Sequence, residues 1–119
     1  VTIVTYGMGV HWALDTLEEN PNISADLIDL RTLVPLDTDT IFKSVKKTNK
    51  VIILHEATLF NGFGAELSAL IAEHCFEYLD APIKRVASMD TPVPFVKQLE
   101  EQFMPNQRFN EALIALLNY

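Results

Sequence analysis

Two stretches of the sequence decide its fold: residues 29–37, DLRTLVPLD, and residues 55–66, HEATLFNGFGAE. Each stretch leaves a hydrophobic strand, runs through a polar or glycine-rich turn and enters an amphipathic helix. In an open α/β sheet, segments of this kind lie at the edge where ligands and partner subunits gather. Neither stretch holds a complete set of catalytic residues, which indicates a domain that serves chemistry located elsewhere.

Outward from these stretches, four β-rich runs alternate with helical patterns, at residues 1–6, 25–30, 51–55 and 83–87. The first and third runs are almost continuously apolar or β-branched, as expected of strands that are covered on both faces. The alternation, followed by two further helices, predicts an α/β fold. We expect a three-layer α/β/α sandwich with a mainly parallel sheet and right-handed crossovers.

The helices are predicted from apolar residues at helical spacing and from their capping residues. Asp37 is expected to be the N-cap of the second helix, with Leu36 and Ile41 as a hydrophobic staple. The third helix, residues 64–76, has apolar or small residues on two faces. This pattern predicts that the sheet lies on one side of it and another element or subunit on the other.

Size and charge restrict the kind of protein. A chain of 119 residues fits one domain, and a net charge of −7 argues against binding to nucleic acid. Cys75 is the only cysteine, so we expect a buried small hydrophobe and no internal disulfide. No signal peptide or membrane-spanning run is evident, which predicts a cytoplasmic protein with no membrane partner. Because the chain begins within a strand and lacks an initial Met, we interpret it as a fragment of a longer polypeptide.

No catalytic or metal-binding motif is complete, so no catalytic, cofactor-binding or metal-binding residue is assigned. Residues 7–9, GMG, lack the third glycine of a dinucleotide fingerprint, because Trp12 stands there. His55 and Glu56 do not form a zinc motif, because Leu59 replaces the second histidine. His55 could serve as a general base, but a structural histidine hydrogen-bonded at a subunit boundary is favoured.

Four stretches, taken together and in order, resemble one known family: residues 2–7 (TIVTYG), 29–37 (DLRTLVPLD), 45–50 (VKKTNK) and 79–82 (LDAP). They are similar to the C-terminal domain of the E1 β subunit of thiamine-diphosphate-dependent 2-oxo acid dehydrogenases. That domain is related to the C-terminal domain of transketolase. The resemblance covers essentially the whole chain and implies that residues 1–119 are one transketolase C-terminal-like domain of a larger E1 β polypeptide.

The resemblance also implies a reaction for the parent enzyme. Thiamine diphosphate, which is held with Mg²⁺ between the α and β subunits, forms a carbanion that attacks a 2-oxo acid; carbon dioxide leaves and the acyl group passes to lipoyl-E2. The stretch His55-Glu56-Ala57, followed by Gly62-Phe63, favours a branched-chain (2-oxoisovalerate) enzyme over a pyruvate enzyme. The cofactor-binding Gly-Asp-Gly segment of the family is missing, so this domain is expected to bind no cofactor and to be inactive alone. The sheet of the family has a fifth, antiparallel edge strand before the one that begins at Val1, and we expect it to be absent here.

The implied role is assembly and docking, with three expected partners: the E1 α subunit, a second E1 β subunit and the peripheral-subunit-binding domain of E2. Asp80 and Tyr119 match positions that hold this basic E2 domain in related enzymes; the alternative is that Asp80 only caps the turn before Pro82. The third helix is the candidate subunit contact. The residues predicted to bind partners are Asp80, Tyr119, His55, Glu56, Gly62, Gly64 and Ser68.

Two other interpretations stay open. The first is a self-sufficient module that binds a small anion or another small ligand, with residues 7–10 and 61–64 around a switch point of the sheet. The second keeps the resemblance but changes the reaction to that of a transketolase or a related sugar-phosphate synthase.

Overall fold

The computed structural model describes all residues from 1 to 119, and four segments of the chain form one parallel sheet. The strands are β1 (Thr2–Thr5), β2 (Asp26–Asp29), β3 (Val51–Thr58) and β4 (Lys84–Ser88), in the order β2–β1–β3–β4. The helices are α1 (Met8–Glu19), α2 (Thr38–Thr48), α3 (Phe63–Cys75), α4 (Lys97–Phe103) and α5 (Asn106–Leu117), with a short 3₁₀ turn at Phe76–Tyr78. The predicted α/β class with a parallel sheet is confirmed.

The sheet is built around β1 and β3, its two central strands. Thr2 of β1 is in register with Asp26 on one side and Val51 on the other. The predicted end of the third strand at residue 55 was too early. The register between β3 and β4 shifts after Leu54, and pairing resumes at Thr58 opposite Ser88, so β3 continues past the irregularity.

Two apolar layers cover the two faces of the sheet. On one face, α1 and α5 pack against the strands through Ile3, Ala13, Ile52, Leu54, Val86, Phe109, Leu113 and Leu116. On the other face, α2 and α3 pack through Val4, Ile41, Val45, Ile53, Leu67, Ile71 and Cys75. Because β1 and β3 send alternate side chains into each layer, their sequences are almost continuously apolar.

The start of α2 follows the predicted capping pattern. The Asp37 carboxylate accepts the backbone N–H of Thr40 at 3.1 Å and its hydroxyl at 2.6 Å. These hydrogen bonds lower the pKa of the exposed Asp37 carboxyl group. Leu36 and Ile41 pack into the same apolar cluster, as expected of a hydrophobic staple.

The third helix buries one of its two predicted faces. Gly64, Leu67, Ile71 and Cys75 face the sheet and are buried, which confirms the structural role predicted for Cys75. The opposite face carries Ala69 and other small residues and stays accessible. No helix of the chain is long and apolar enough to cross a membrane.

Candidate functional site

The seven residues predicted to bind partners lie at two opposite edges of the sheet and on one helix. His55, Glu56, Gly62 and Gly64 lie at the carboxyl edge, where the parallel strands end. Asp80 precedes β4 and Tyr119 follows α5, and both lie at the amino edge, where the strands begin. Ser68 lies midway along α3. The structure therefore separates six of the residues into two sites, and Ser68 lies between the two edges on α3.

His55 is the centre of the carboxyl-edge site. Its side chain is fully buried, and both ring nitrogens are hydrogen-bonded: Nδ1 to the carbonyl of Ala57 at 3.1 Å, and Nε2 to the backbone N–H of Gly64 at 3.2 Å. Because Nε2 accepts the Gly64 N–H, Nδ1 carries the proton and donates it to the carbonyl. The ring of Tyr6 stacks on the imidazole, with centroids 6.0 Å apart and planes 13° from parallel. His55 therefore joins the end of β3 to the start of α3.

The two glycines of this site make room for the imidazole. A Cβ atom on Gly64 would overlap the ring, 2.7 Å from Cδ2 and nearer still to Nε2. A Cβ on Gly62 would lie 2.8 Å from Cε1 of His55 and would overlap the backbone carbonyl of Thr58. Sequence reasoning missed this packing role, although two glycines at a helix start shortly after a strand-end histidine are a usable signal.

Burial lowers the pKa of His55, and the nearby charge of Arg85 lowers it further, while the hydrogen bond to Ala57 acts in the opposite direction. The lone pair of Nε2 already accepts the Gly64 N–H, so the neutral ring has no free lone pair that could accept a proton from a substrate. This geometry supports the structural interpretation of His55 over the general-base interpretation. A direct contact of this buried ring with a partner stays a prediction.

Replacing His55 by glutamine is expected to flatten the pH dependence of stability between about pH 7 and pH 5. In the unfolded chain the imidazole takes up a proton near its ordinary pKa of about 6.5, whereas the folded site resists protonation because its pKa is lowered. The free energy of unfolding of the parent chain should therefore fall on acidification, by at most about 1.4 kcal/mol per pH unit for one proton.

Urea unfolding at several pH values measures this slope. The control is His11→Gln, since His11 is exposed on α1, and its slope should match the parent's. The carboxyl groups of Asp26 and Asp37, whose pKa values hydrogen bonds lower, affect the slope only below about pH 5 and so lie outside this window. An unchanged slope in His55→Gln would contradict the prediction.

The amino-edge site begins with the turn at Asp80. The backbone N–H of Asp80 donates to the carbonyl of Asn49 at 2.8 Å, and the Asn49 side chain donates to the carbonyl of Tyr78 at 2.7 Å. The Asp80 carboxylate is exposed and takes part in no hydrogen bond or ion pair. The turn is thus held by the backbone of Asp80, and no hydrogen bond of its carboxylate supports the capping alternative.

The end of α5 lies at the same edge, where it contacts Lys50, the residue that follows Asn49. Lys50 donates from Nζ to the carbonyl of Leu117 at 3.1 Å. Tyr119, two residues further, is exposed. Asp80 and Tyr119 are therefore both tied to the loop that joins α2 to β3, which brings two residues far apart in the sequence to one edge.

The two remaining predicted residues lie on accessible surface. Glu56 is exposed beside His55 and takes part in no ion pair. Ser68 is half-buried on the small-residue face of α3, beside the exposed Ala69 and Ala72. Their contact with a partner stays a prediction.

The side chains that could ligate a metal ion are scattered over the chain. No three His, Cys, Asp or Glu side chains lie close enough together to hold a metal ion. That this domain binds neither thiamine diphosphate nor Mg²⁺ stays a prediction.

The alternative of a self-sufficient ligand-binding module receives no support from the cavities. None of the five main surface cavities is lined by residues 7–10 or 61–64. At the switch point between β1 and β3, the rings of Tyr6 and His55 stack on each other.

Comparisons with known proteins agree with the resemblance. A family model described as "Transketolase, C-terminal domain" matches residues 1–108. The pyruvate dehydrogenase E1 component subunit beta of Rickettsia felis is 47% identical over 109 residues, 90% of this chain and 33% of that protein. The 2-oxoisovalerate dehydrogenase subunit beta of Pseudomonas aeruginosa is 50% identical over 98 residues, 82% of this chain and 28% of that protein. The chain thus spans about a third of the length of these relatives.

A solved structure described as "Split gene transketolase, inactive beta4 tetramer" has a TM-score of 0.73 and covers 98% of this chain and 38% of that one. At 24% identity this likeness concerns the fold alone. The sequence relatives confirm the predicted resemblance to E1 β subunits of 2-oxo acid dehydrogenases, and they include enzymes for both pyruvate and 2-oxoisovalerate. Fold, sequence and family match lead to one conclusion: this chain belongs to the transketolase C-terminal domain family.

Proposed function

We propose that the chain is the C-terminal assembly and docking domain of the E1 β subunit of a 2-oxo acid dehydrogenase. The observation that carries this proposal is the similarity to E1 β subunits, at 44–50% identity for the relatives from Rickettsia felis, Pseudomonas aeruginosa and Bacillus subtilis. In this proposal residues 1–119 are one domain of a longer cytoplasmic polypeptide. Thiamine diphosphate and Mg²⁺ are held by other parts of the enzyme, and the reaction takes place there.

The branched-chain type is our proposal for the substrate class, and it rests on the residues around His55 and on the 2-oxoisovalerate relatives. The pyruvate relatives are equally near, so the substrate has to be measured on the whole enzyme. Comparing kcat/KM for 2-oxoisovalerate and pyruvate in the full E1 tests the proposed branched-chain substrate class. A preference for pyruvate would overturn it and leave the assembly role intact.

Assembly is assigned to α3 and the carboxyl edge. The face of α3 with Ser68, Ala69 and Ala72 allows a close approach of another helix, because small side chains bring backbones together. We propose that this face contacts the E1 α subunit or a second E1 β subunit. His55 and the glycines act indirectly, because they set the position of α3 relative to the sheet.

Docking of E2 is assigned to the amino edge. The Asp80 carboxylate is exposed and unpaired, and Tyr119 lies at the same edge. A carboxylate in this state is available for a charge-assisted hydrogen bond to a basic side chain. The net charge of −7 favours the approach of a basic partner.

Replacing Asp80 by asparagine is expected to weaken binding of the peripheral-subunit-binding domain of E2 about tenfold, the loss expected for one charge-assisted contact. The backbone N–H of Asp80, which holds the turn, is unchanged in this variant. Calorimetric titration at two salt concentrations measures the affinity, and the variant should also show a weaker dependence on salt.

The matched control is Asp15→Asn, which removes one exposed carboxylate from α1. Its affinity should equal that of the parent chain. Equal affinities for the parent and Asp80→Asn, or an equal loss in both variants, would contradict a specific role of Asp80.

A further inference from the structure

A groove of about 390 Å³ runs along β4, and none of the seven residues predicted to bind partners lines it. Its floor is the strand segment 84–87, one wall is Leu59, and the other wall is the first two turns of α5, with Arg108 and Glu111. Lys84 and Arg85 belong to the strand segment. We call this feature the basic groove.

The charge of the basic groove is opposite to that of the chain. Lys84, Arg85 and Arg108 line it with one carboxylate, Glu111, although the chain as a whole carries 16 acidic and 9 basic residues. None of the three cations takes part in any of the three ion pairs of the chain. The basic groove therefore has a local excess of positive charge, with three cations and one carboxylate.

The two arginines are held in place by backbone carbonyls. Arg108 donates to the carbonyls of Gln102 and Ala87 at 2.8 Å each, and more weakly to Phe103 at 3.3 Å. Arg85 donates to the carbonyl of Leu59 at 3.3 Å. Neutral carbonyls orient a guanidinium group but leave its charge uncompensated, and each group retains further N–H donors for a planar carboxylate.

The floor of the basic groove also offers backbone hydrogen-bonding groups. β4 is the last strand of the sheet and pairs only with β3, so its outer side has no neighbouring strand. Such an edge is a template for an extended peptide, unless side chains block it. Arg108 occupies one acceptor of this edge, because its guanidinium group donates to the carbonyl of Ala87. No side chain forms such a hydrogen bond with the backbone of residues 84–86.

We propose that the basic groove binds an extended, carboxylate-rich segment of another polypeptide, which pairs with the edge of β4 and places its carboxylates on Lys84, Arg85 and Arg108. The charge complementarity selects an acidic occupant, and the strand edge selects an extended one. This partner is opposite in charge to the basic E2 domain, and the proposal is independent of the docking role of Asp80.

The first experiment compares four probes with the 119-residue chain by fluorescence anisotropy at low salt. The probes are a labelled octapeptide of alternating glutamate and threonine, the same peptide with proline in place of threonine, a lysine–threonine peptide, and unlabelled free glutamate as competitor. We expect the glutamate–threonine peptide to bind at least tenfold more tightly than the proline peptide, which cannot pair with a strand edge. The lysine peptide and free glutamate should not displace the labelled glutamate–threonine peptide.

The second experiment tests the place of binding with variants. Lys84→Gln combined with Arg85→Gln should weaken the glutamate–threonine peptide about tenfold, while Arg108 keeps its carbonyl contacts. The control, Lys43→Gln combined with Lys97→Gln, removes the same amount of charge from exposed positions on α2 and α4 and should leave affinity unchanged. Circular dichroism of each variant checks the fold.

Backbone amide shifts give a readout that does not depend on the variants. The glutamate–threonine peptide should move the amide signals of residues 84–88 and 108–112 and leave those around Asp80 and Tyr119 in place. Three results would overturn the proposal: equal loss of affinity in the two charge-matched variants, equal binding of the proline peptide or of free glutamate, or shifts located elsewhere. Failure of the Asp80 experiment would leave this proposal unaffected.

Discussion

Replacing Phe109 by alanine is expected to lower the free energy of unfolding by about 3–5 kcal/mol, the range for removal of a buried aromatic side chain. Phe109 is fully buried in the apolar layer that α1 and α5 form with the sheet. Its ring is the largest side chain that α5 contributes to this layer, so the cavity left by alanine would be lined by several elements that cannot all move inward.

Urea unfolding followed by tryptophan fluorescence measures this loss directly. Trp12 is the only tryptophan and packs against the same apolar layer, so its emission reports on the affected region. The control is Ile114→Ala on the exposed side of α5, which should lower the free energy of unfolding by less than about 1 kcal/mol. A loss below about 1 kcal/mol in Phe109→Ala would show that α5 is not held by this ring.

The loss has a functional consequence because α5 positions the amino edge. The carbonyl of Leu117 accepts the Nζ–H of Lys50, and Tyr119 follows directly. Loosening α5 should therefore weaken E2 docking in the proposed enzyme more than a change at the carboxyl edge would.

Replacing Gly64 by alanine is expected to destabilise the chain by about 3 kcal/mol, through overpacking and the loss of one hydrogen bond. Gly64 lies in the first turn of α3 with a backbone conformation open to any residue, so Gly→Ala would ordinarily stabilise the helix. The sign is reversed because the new Cβ would overlap the imidazole of His55, which is fully buried and hydrogen-bonded at both ring nitrogens.

A double-mutant cycle separates this overlap from other causes. In the background of His55→Ala, the Cβ of Gly64→Ala enters the space left by the ring, so the second substitution should cost much less than in the parent. Gly62→Ala is the matched comparison, because its Cβ also overlaps the backbone carbonyl of Thr58, and His55→Ala should not rescue it. Additive effects of Gly64→Ala and His55→Ala would contradict the packing role of the glycine.

The site could be predicted only in part. Sequence reasoning placed His55, Gly62 and Gly64 in one region, favoured a structural role for His55 at a subunit boundary, and missed the packing of the two glycines against its ring. The ring of His55 fits against the backbone of Gly64 at hydrogen-bond distance, and the spacing of residues in the chain does not encode that contact. Similarly, the sequence leaves a capping role open for the Asp80 carboxylate, whereas in the structure the backbone N–H of this residue holds the turn.

The secondary structure, the parallel α/β class and the family resemblance were determined by the sequence alone. They depend on local properties: the period of apolar residues, the Asp37 cap and the β-branched runs of β1 and β3. Only the tertiary structure decided that β3 extends past His55, that Asp80 and Tyr119 share the amino edge, and that Lys84, Arg85 and Arg108 line one groove. These features arise from contacts between residues far apart in the chain, whose distances are set by how the layers pack and not by any local pattern.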